Sequence, residues 1–150
     1  MSEHIATLSW ERGETAFDYK SYSRNHNWDF GSGVTVTASA AEQFLGDPEQ
    51  IDPEQAFVAS LASCHMLTFL AICSMSKITI ESYKDRAVGH LAKNEAGKLV
   101  ITRVDLYPEI VFAEGSAPSQ KMLERLHHKA HADCFLANSV TCEIVTHLPK

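Results

Sequence analysis

From Ala56 to Met75 the chain is almost continuously apolar, and on either side the pattern breaks into short alternating stretches. Asp52 can cap the apolar run, Pro53 suits a first helical position and Gln55 can close a capping box, so the pattern predicts a long helix over 53–76. Fully helical, that segment is about 36 Å long, enough to raise the question of a membrane span. Glu54, Gln55, Ser60, Ser63, His65 and Ser74 interrupt it and no basic cluster flanks both ends, so a soluble helix is expected and no membrane partner. A helix that is hydrophobic nearly all round must be enclosed on every side. A globule of this length is only about 35–40 Å across, so one protomer can hardly wrap it and a partner subunit is expected.

The flanks read as strands. Ile5–Trp10 and Thr15–Tyr19 enclose a turn containing Gly13, and Val34–Ala38 alternates after Gly31-Ser-Gly33. Beyond the helix, Ile78–Tyr83, Arg86–Leu91 and Leu99–Val104 are rich in branched residues, with a hairpin loop at 93–97. Pro108 interrupts the last of these, which resumes at Ile110–Phe112. A second helix is predicted from Ser116 to about His131, with Met122, Leu123 and Leu126 on one side, and Val140–His147 closes the chain as a strand. The order βββ-α-βββ-α-β defines an α+β class. With 150 residues, 45% of them hydrophobic, the chain suits a single domain over 1–150 and not two.

Charge narrows the partners. The net charge of −6 gives no field for holding phosphates, which argues against nucleic acid. The excess is local: residues 1–55 carry ten acids against Arg12, Lys20 and Arg24, and the remainder is nearly balanced. The start, Met-Ser-Glu-His, shows no basic region followed by an apolar core, so a cytoplasmic location is expected. The four cysteines are then thiols at rest, and any disulfide is transient and catalytic.

Those cysteines differ in setting. Cys64 lies mid-helix in a largely apolar run, and Cys73, nine residues on, falls on the opposite face about 13 Å away, out of reach as its partner. Cys142 alternates with Val140 and Ile144, the parity of an ordinary core cysteine. Cys134 leaves the second helix beside Asp133 and has a route to a site, which makes it the candidate partner thiol. Asp-Pro-Glu-Gln occurs twice, at 47–50 and 52–55, but only the second copy runs into the helix, carrying Glu54 to its first turn. A first-turn carboxylate is also favoured by the helix dipole alone.

The run Pro-Glu-Gln-Ala-Phe-Val-Ala-Ser-Leu-Ala-Ser-Cys-His (53–65), the His-Ala-Asp-Cys of 131–134 and the strand–long helix–strand order together resemble the OsmC/Ohr family of thiol-dependent peroxidases. The resemblance implies an intertwined homodimer whose long central helices are enclosed by antiparallel sheets from both subunits. It implies reduction of organic (alkyl or lipid) hydroperoxides, with Cys64 peroxidatic, Cys134 resolving, an external dithiol as reductant and no cofactor. An N-terminal arginine activates the first cysteine in that family, and a glutamate at the helix start holds it; carried over, these roles fall to Arg24 and Glu54. Arg12, followed by Gly13, is a rival for the arginine, and Phe135 stands where the family commonly has proline.

The chemistry needs such groups. A free cysteine has a pKa near 8.5 and apolar burial raises it, so an adjacent guanidinium is required to favour the thiolate and orient a peroxide oxygen. Two other functions remain open. His127, His128, His131 and Cys134 have spacings that could line a metal-binding helical face, completed by Cys64 and His65, and the same thiols could serve a non-catalytic redox sensor. His65, one residue past Cys64, points about 100° away from it and is expected to pack or hydrogen-bond elsewhere. His26 could line an entrance beside Arg24, with Trp28 as an apolar wall.

Overall fold

A computed structural model describes residues 1–149 and shows an α+β fold whose backbone forms two compact units, Met1–Ala56 and a second beginning at Phe57. The first unit holds an antiparallel sheet of β1 (Thr7–Ser9), β2 (His26–Asp29) and β3 (Thr35–Ala38), with Trp28 opposite both Leu8 and Val36. The expected middle strand at Thr15–Tyr19 does not form; His26–Asp29 takes its place. Local hydrogen bonds explain the difference. Arg12 Nη1 donates to the Thr15 carbonyl at 2.8 Å, Thr15 Oγ1 donates back to the Arg12 carbonyl at 2.9 Å, and Asp18 accepts from the Lys20 amide at 3.1 Å. Such side-chain bonds hold the backbone in turns and compete with a ladder. Phe17 is drawn instead into an aromatic cluster with Trp10 and Tyr22.

The two Asp-Pro-Glu-Gln copies take different shapes. In the first, the Asp47 carboxylate accepts from the Glu49 amide at 3.0 Å and closes a turn. The second caps α1 (Pro53–Met75): the Gln55 amide donates to Asp52 Oδ1 at 2.7 Å and the Asp52 amide donates to Gln55 Oε1 at 3.1 Å, the reciprocal capping box expected from sequence.

In the second unit follow β4 (Ile80–Asp85), β5 (Val88–Lys93), β6 (Leu99–Leu106), β7 (Pro108–Phe112), α2 (Gln120–Asp133) and β8 (Glu143–Thr146). Pro108 opens a separate strand: β7 turns away from β6 and pairs antiparallel with β4, and at that corner the Tyr107 amide donates to Asp85 at 2.7 Å. The other sheet has the order β5-β6-β8, with β8 parallel to β6 rather than antiparallel. Ser119 caps α2 by accepting from the Met122 amide.

α1 feeds two hydrophobic clusters. Its early turns place Phe57, Val58, Leu61 and Ala62 against Val104 and Leu106 of β6 and Ile144 of β8. Its later turns place Phe69, Ile72 and Cys73 against Leu126 and Ala130 of α2, with Ile80 and Tyr83 of β4 and Ile110 of β7 around them. Cys64 and His65 fall at the junction of the two. By length and composition α1 could cross a membrane, yet this face is packed into the second unit. The opposite face is not enclosed among the described residues: Leu67 is 59% exposed, and Ser63 and Ala71 on the same stripe are exposed as well.

Candidate functional site

The two thiols come together. Cys134 is the C-cap of α2 and is buried, and its Sγ lies 2.8 Å from Cys64 Sγ on α1, with Cys134 as donor; neither is in a disulfide. The turn after Cys134 is fixed by backbone and side chain alike. The Asn138 amide donates to the Cys134 carbonyl at 3.1 Å, Asn138 Nδ2 to the Ala132 carbonyl at 2.9 Å, and Ser139 Oγ to the Phe135 carbonyl at 2.7 Å. Burial pushes the Cys134 thiol up and its hydrogen bond to Cys64 adds to the rise, while the Ala137 amide opposes it. Cys134 therefore holds its proton, and Cys64 beside it is half-buried. Phe135, next in the chain, is 83% exposed.

Next to Cys64 on α1, and about two turns before Cys134 on α2, sits a buried imidazole pair. His65 Nε2 and His127 Nδ1 are 3.0 Å apart, the rings lie within 8° of parallel, and His127 stacks on Phe69 with centroids 4.1 Å apart. Burial holds both well below the ordinary histidine value, to about 4, with His131 adding to the effect on His65 and His65 to that on His127. Both are neutral at pH 7. His65 Nδ1 and His127 Nε2 are buried without a hydrogen-bond partner. His127 thus turns inward, whereas His128 is exposed, and among the described residues no three His, Cys, Asp or Glu side chains gather in a way that could hold a metal ion. The metal-binding face read from His127 or His128, His131 and Cys134 is not assembled among the described residues: His127 is engaged by His65 and Phe69, and His128 is exposed. Sequence spacing did carry one signal for this pair: His127 and Cys134 are one heptad apart, on one stripe of α2.

Arg24 and Glu54 lie in the first unit. Arg24 Nη1 donates to the Tyr22 carbonyl at 2.5 Å, Nη2 donates to the Tyr19 carbonyl, and the guanidinium lies 3.8 Å over the Tyr22 ring. It faces a cavity of about 440 Å³ lined also by Trp10, Phe17, Tyr22, His26 and Pro53. His26 does sit beside Arg24: its Nδ1 donates to the Arg24 carbonyl at 2.8 Å, since its Nε2 accepts from Trp28 Nε1 at 2.8 Å. Glu54 is in the first turn of α1, and among the described residues neither it nor Arg24 is in an ion pair. Arg12, the rival, is exposed and committed to its own turn. The expected Arg24–Glu54 pairing is thus not made within the chain.

A second polar cluster escaped sequence reading. Asp105 on β6 is 1% exposed and accepts from Arg103 Nε at 2.9 Å, His90 Nε2 at 2.6 Å and His147 Nε2 at 2.7 Å. Burial alone would raise its pKa, but the bonds from His147, Arg103 and His90 together hold it far below the carboxylate range. His147 also stacks on Tyr107, with centroids 4.6 Å apart. The alternation of Arg103, Asp105 and Tyr107 along one strand face was the available signal; the histidines come from β5 and from the end of β8, which only the tertiary register brings near.

Comparison with known proteins gives the family and the fold. A family model described as OsmC-like protein matches residues 46–148. None of the curated proteins matches. Among solved structures, an OsmC-like protein of unknown function from Vibrio cholerae is 46% identical, with a TM-score of 0.93 over 99% of this chain and 100% of that one. An organic hydroperoxide resistance protein from Elizabethkingia anophelis is 19% identical, with a TM-score of 0.73 over 99% of this chain and 94% of that one. The organic hydroperoxide resistance protein of Bacillus subtilis is 16% identical, with a TM-score of 0.67 over 97% and 98%. These last two share the fold.

Proposed function

Because this chain belongs to the OsmC-like protein family, we propose that it is a thiol-dependent peroxidase that reduces organic hydroperoxides through Cys64 and Cys134. The observation that carries this reading is the 2.8 Å approach of the two sulfurs, from residues 70 apart in sequence. Attack of the Cys64 thiolate on the O–O bond transfers two electrons, leaves Cys64 sulfenic acid and releases an alkoxide that takes a proton to become an alcohol. Cys134 then attacks the sulfenic sulfur, forming the disulfide and releasing water. An external dithiol returns both cysteines to thiols by exchange and is itself oxidised.

In the same reading the working form is a homodimer in a reducing compartment, with Arg24 and Glu54 of one subunit serving Cys64 of the other. The exposed Leu67 on the open face of α1 favours a second copy as its cover. Ten residues of helix separate Glu54 from Cys64 by about 15 Å, too far for direct contact along one helix. A mixture of inactive Cys64→Ser and Arg24→Ala proteins, allowed to exchange subunits, should regain peroxidase activity; no recovery after confirmed exchange rejects the sharing.

The main test is mass spectrometry after one equivalent of an organic hydroperoxide. A 64–134 disulfide is expected in the wild type. Cys64→Ser should abolish peroxide consumption, whereas Cys134→Ser should accumulate over-oxidised Cys64. A protein that consumes no peroxide and forms no disulfide is not this enzyme.

A further inference from the structure

Among the described residues, two side-chain hydrogen bonds join α1 to α2 and its C-cap: Cys134 to Cys64, and His65 to His127. On α1 the two attachment points are consecutive residues, about 1.5 Å apart along the axis; on α2 they are seven residues and about 10 Å apart. α2 therefore crosses α1 steeply, fastened at His127, with Cys134 at the end of an arm two turns long. Converting sulfur contact into a covalent bond requires movement on the order of 1 Å. Over such an arm that is a rotation of only a few degrees about the imidazole contact.

The imidazole pair is a costly way to pack two helices. Each ring leaves one buried nitrogen without a partner, and an unpaired buried polar atom is destabilising. Leucine and phenylalanine of similar shape would fill the space beside Phe69 without that cost. What the imidazoles supply is direction, since an N–H···N bond fixes azimuth and distance where apolar contact leaves both soft. Stacking on Phe69 further pins the His127 ring.

We propose that the His65–His127 hydrogen bond is the pivot that positions Cys134 against Cys64 and thereby favours the disulfide over the two thiols. Both histidines are positioning residues: they act through the cysteines and touch no reacting atom. The inference rests on the redox pairing of Cys64 with Cys134 but not on the identity of the peroxide.

The test is the thiol–disulfide equilibrium against a dithiothreitol couple, read by alkylation and mass spectrometry. Two protein thiols are oxidised as one cyclic dithiothreitol disulfide is reduced to its dithiol, which takes both protons. In the double variant His65→Leu/His127→Phe, which keeps shape and removes every ring nitrogen, Cys134 loses its fixed approach and thus effective concentration at Cys64, so the equilibrium should shift toward thiols about ten-fold. Thermal stability should hold or rise. His65→Gln, which restores an amide where the His65 ring nitrogen pairs, should return the equilibrium to within about three-fold of wild type. If the double variant does not fold, His127→Phe alone replaces it with the same expectation. An unchanged equilibrium in the variant without the bond overturns the pivot, as does an equal loss in His65→Gln. A wild type that forms no 64–134 disulfide under any couple defeats the redox pairing itself; a disulfide without peroxide consumption defeats only the peroxidase reading.

Discussion

His65 and His127 are each held at about pKa 4 by burial, against 6.5 for the ordinary side chain. The unfolded chain therefore takes up protons before the folded one does. Stability is complete above pH 6.5 and is lost progressively as the pH falls toward 4, by up to about 3 kcal/mol for one ring. Urea unfolding at pH 7 and pH 5 should show this fall, and it should be smaller in His65→Leu/His127→Phe. Asp105 has the depressed pKa of a carboxylate rich in donors, so its contribution is present above the unfolded value and fades only in strong acid. Asp105→Asn leaves Arg103, His90 and His147 competing for one neutral oxygen, and should cost about 2–4 kcal/mol in denaturant unfolding with little effect on the thiols. At this scale sequence reading was uneven. Cys64 and Cys134 were legible because chemistry-bearing residues in an apolar run stand out. His65–His127 and the Asp105 cluster were not, since their partners lie far apart in the chain and local spacing marks only one side of each.

At the scale of elements, α1 was the most legible: its capping box and apolar run belong to local physics, and both ends of the box are satisfied as expected. The N-terminal meander was misread at Thr15–Tyr19, where bonds from Arg12, Thr15 and Asp18 to nearby backbone override strand propensity. His26–Asp29 forms the central strand although it is polar, since half-burial of His26 and Trp28 on one face suffices in a sheet with one wet side. The docking of α1 on β5 depends on Gly89, where an added methyl would sit 2.4 Å from Val58 Cγ2. Gly89→Ala should force the helix off the sheet and cost about 1–3 kcal/mol by thermal unfolding; Val58→Ala in the same background should recover part of the loss.

At the scale of the whole molecule, the open face of α1 is the feature a single chain leaves incomplete. Leu67 stands on that face, and Leu67→Glu should convert a dimer into monomers in sedimentation velocity while leaving the Cys64–Cys134 approach intact. A wild type that sediments as a monomer at micromolar concentration rejects the dimer. The parallel pairing of β8 with β6 has a different consequence, one for biosynthesis. Residues 107–142 must be made and folded back before Glu143–Thr146 can lie beside Arg103–Leu106. Until then Val104 and Leu106 lack Ile144 as a neighbour and Asp105 lacks His147. A chain translated no further than residue 142 therefore carries β6 with one edge unpaired, a core strand open to chaperones until Glu143–Thr146 emerges to cover it.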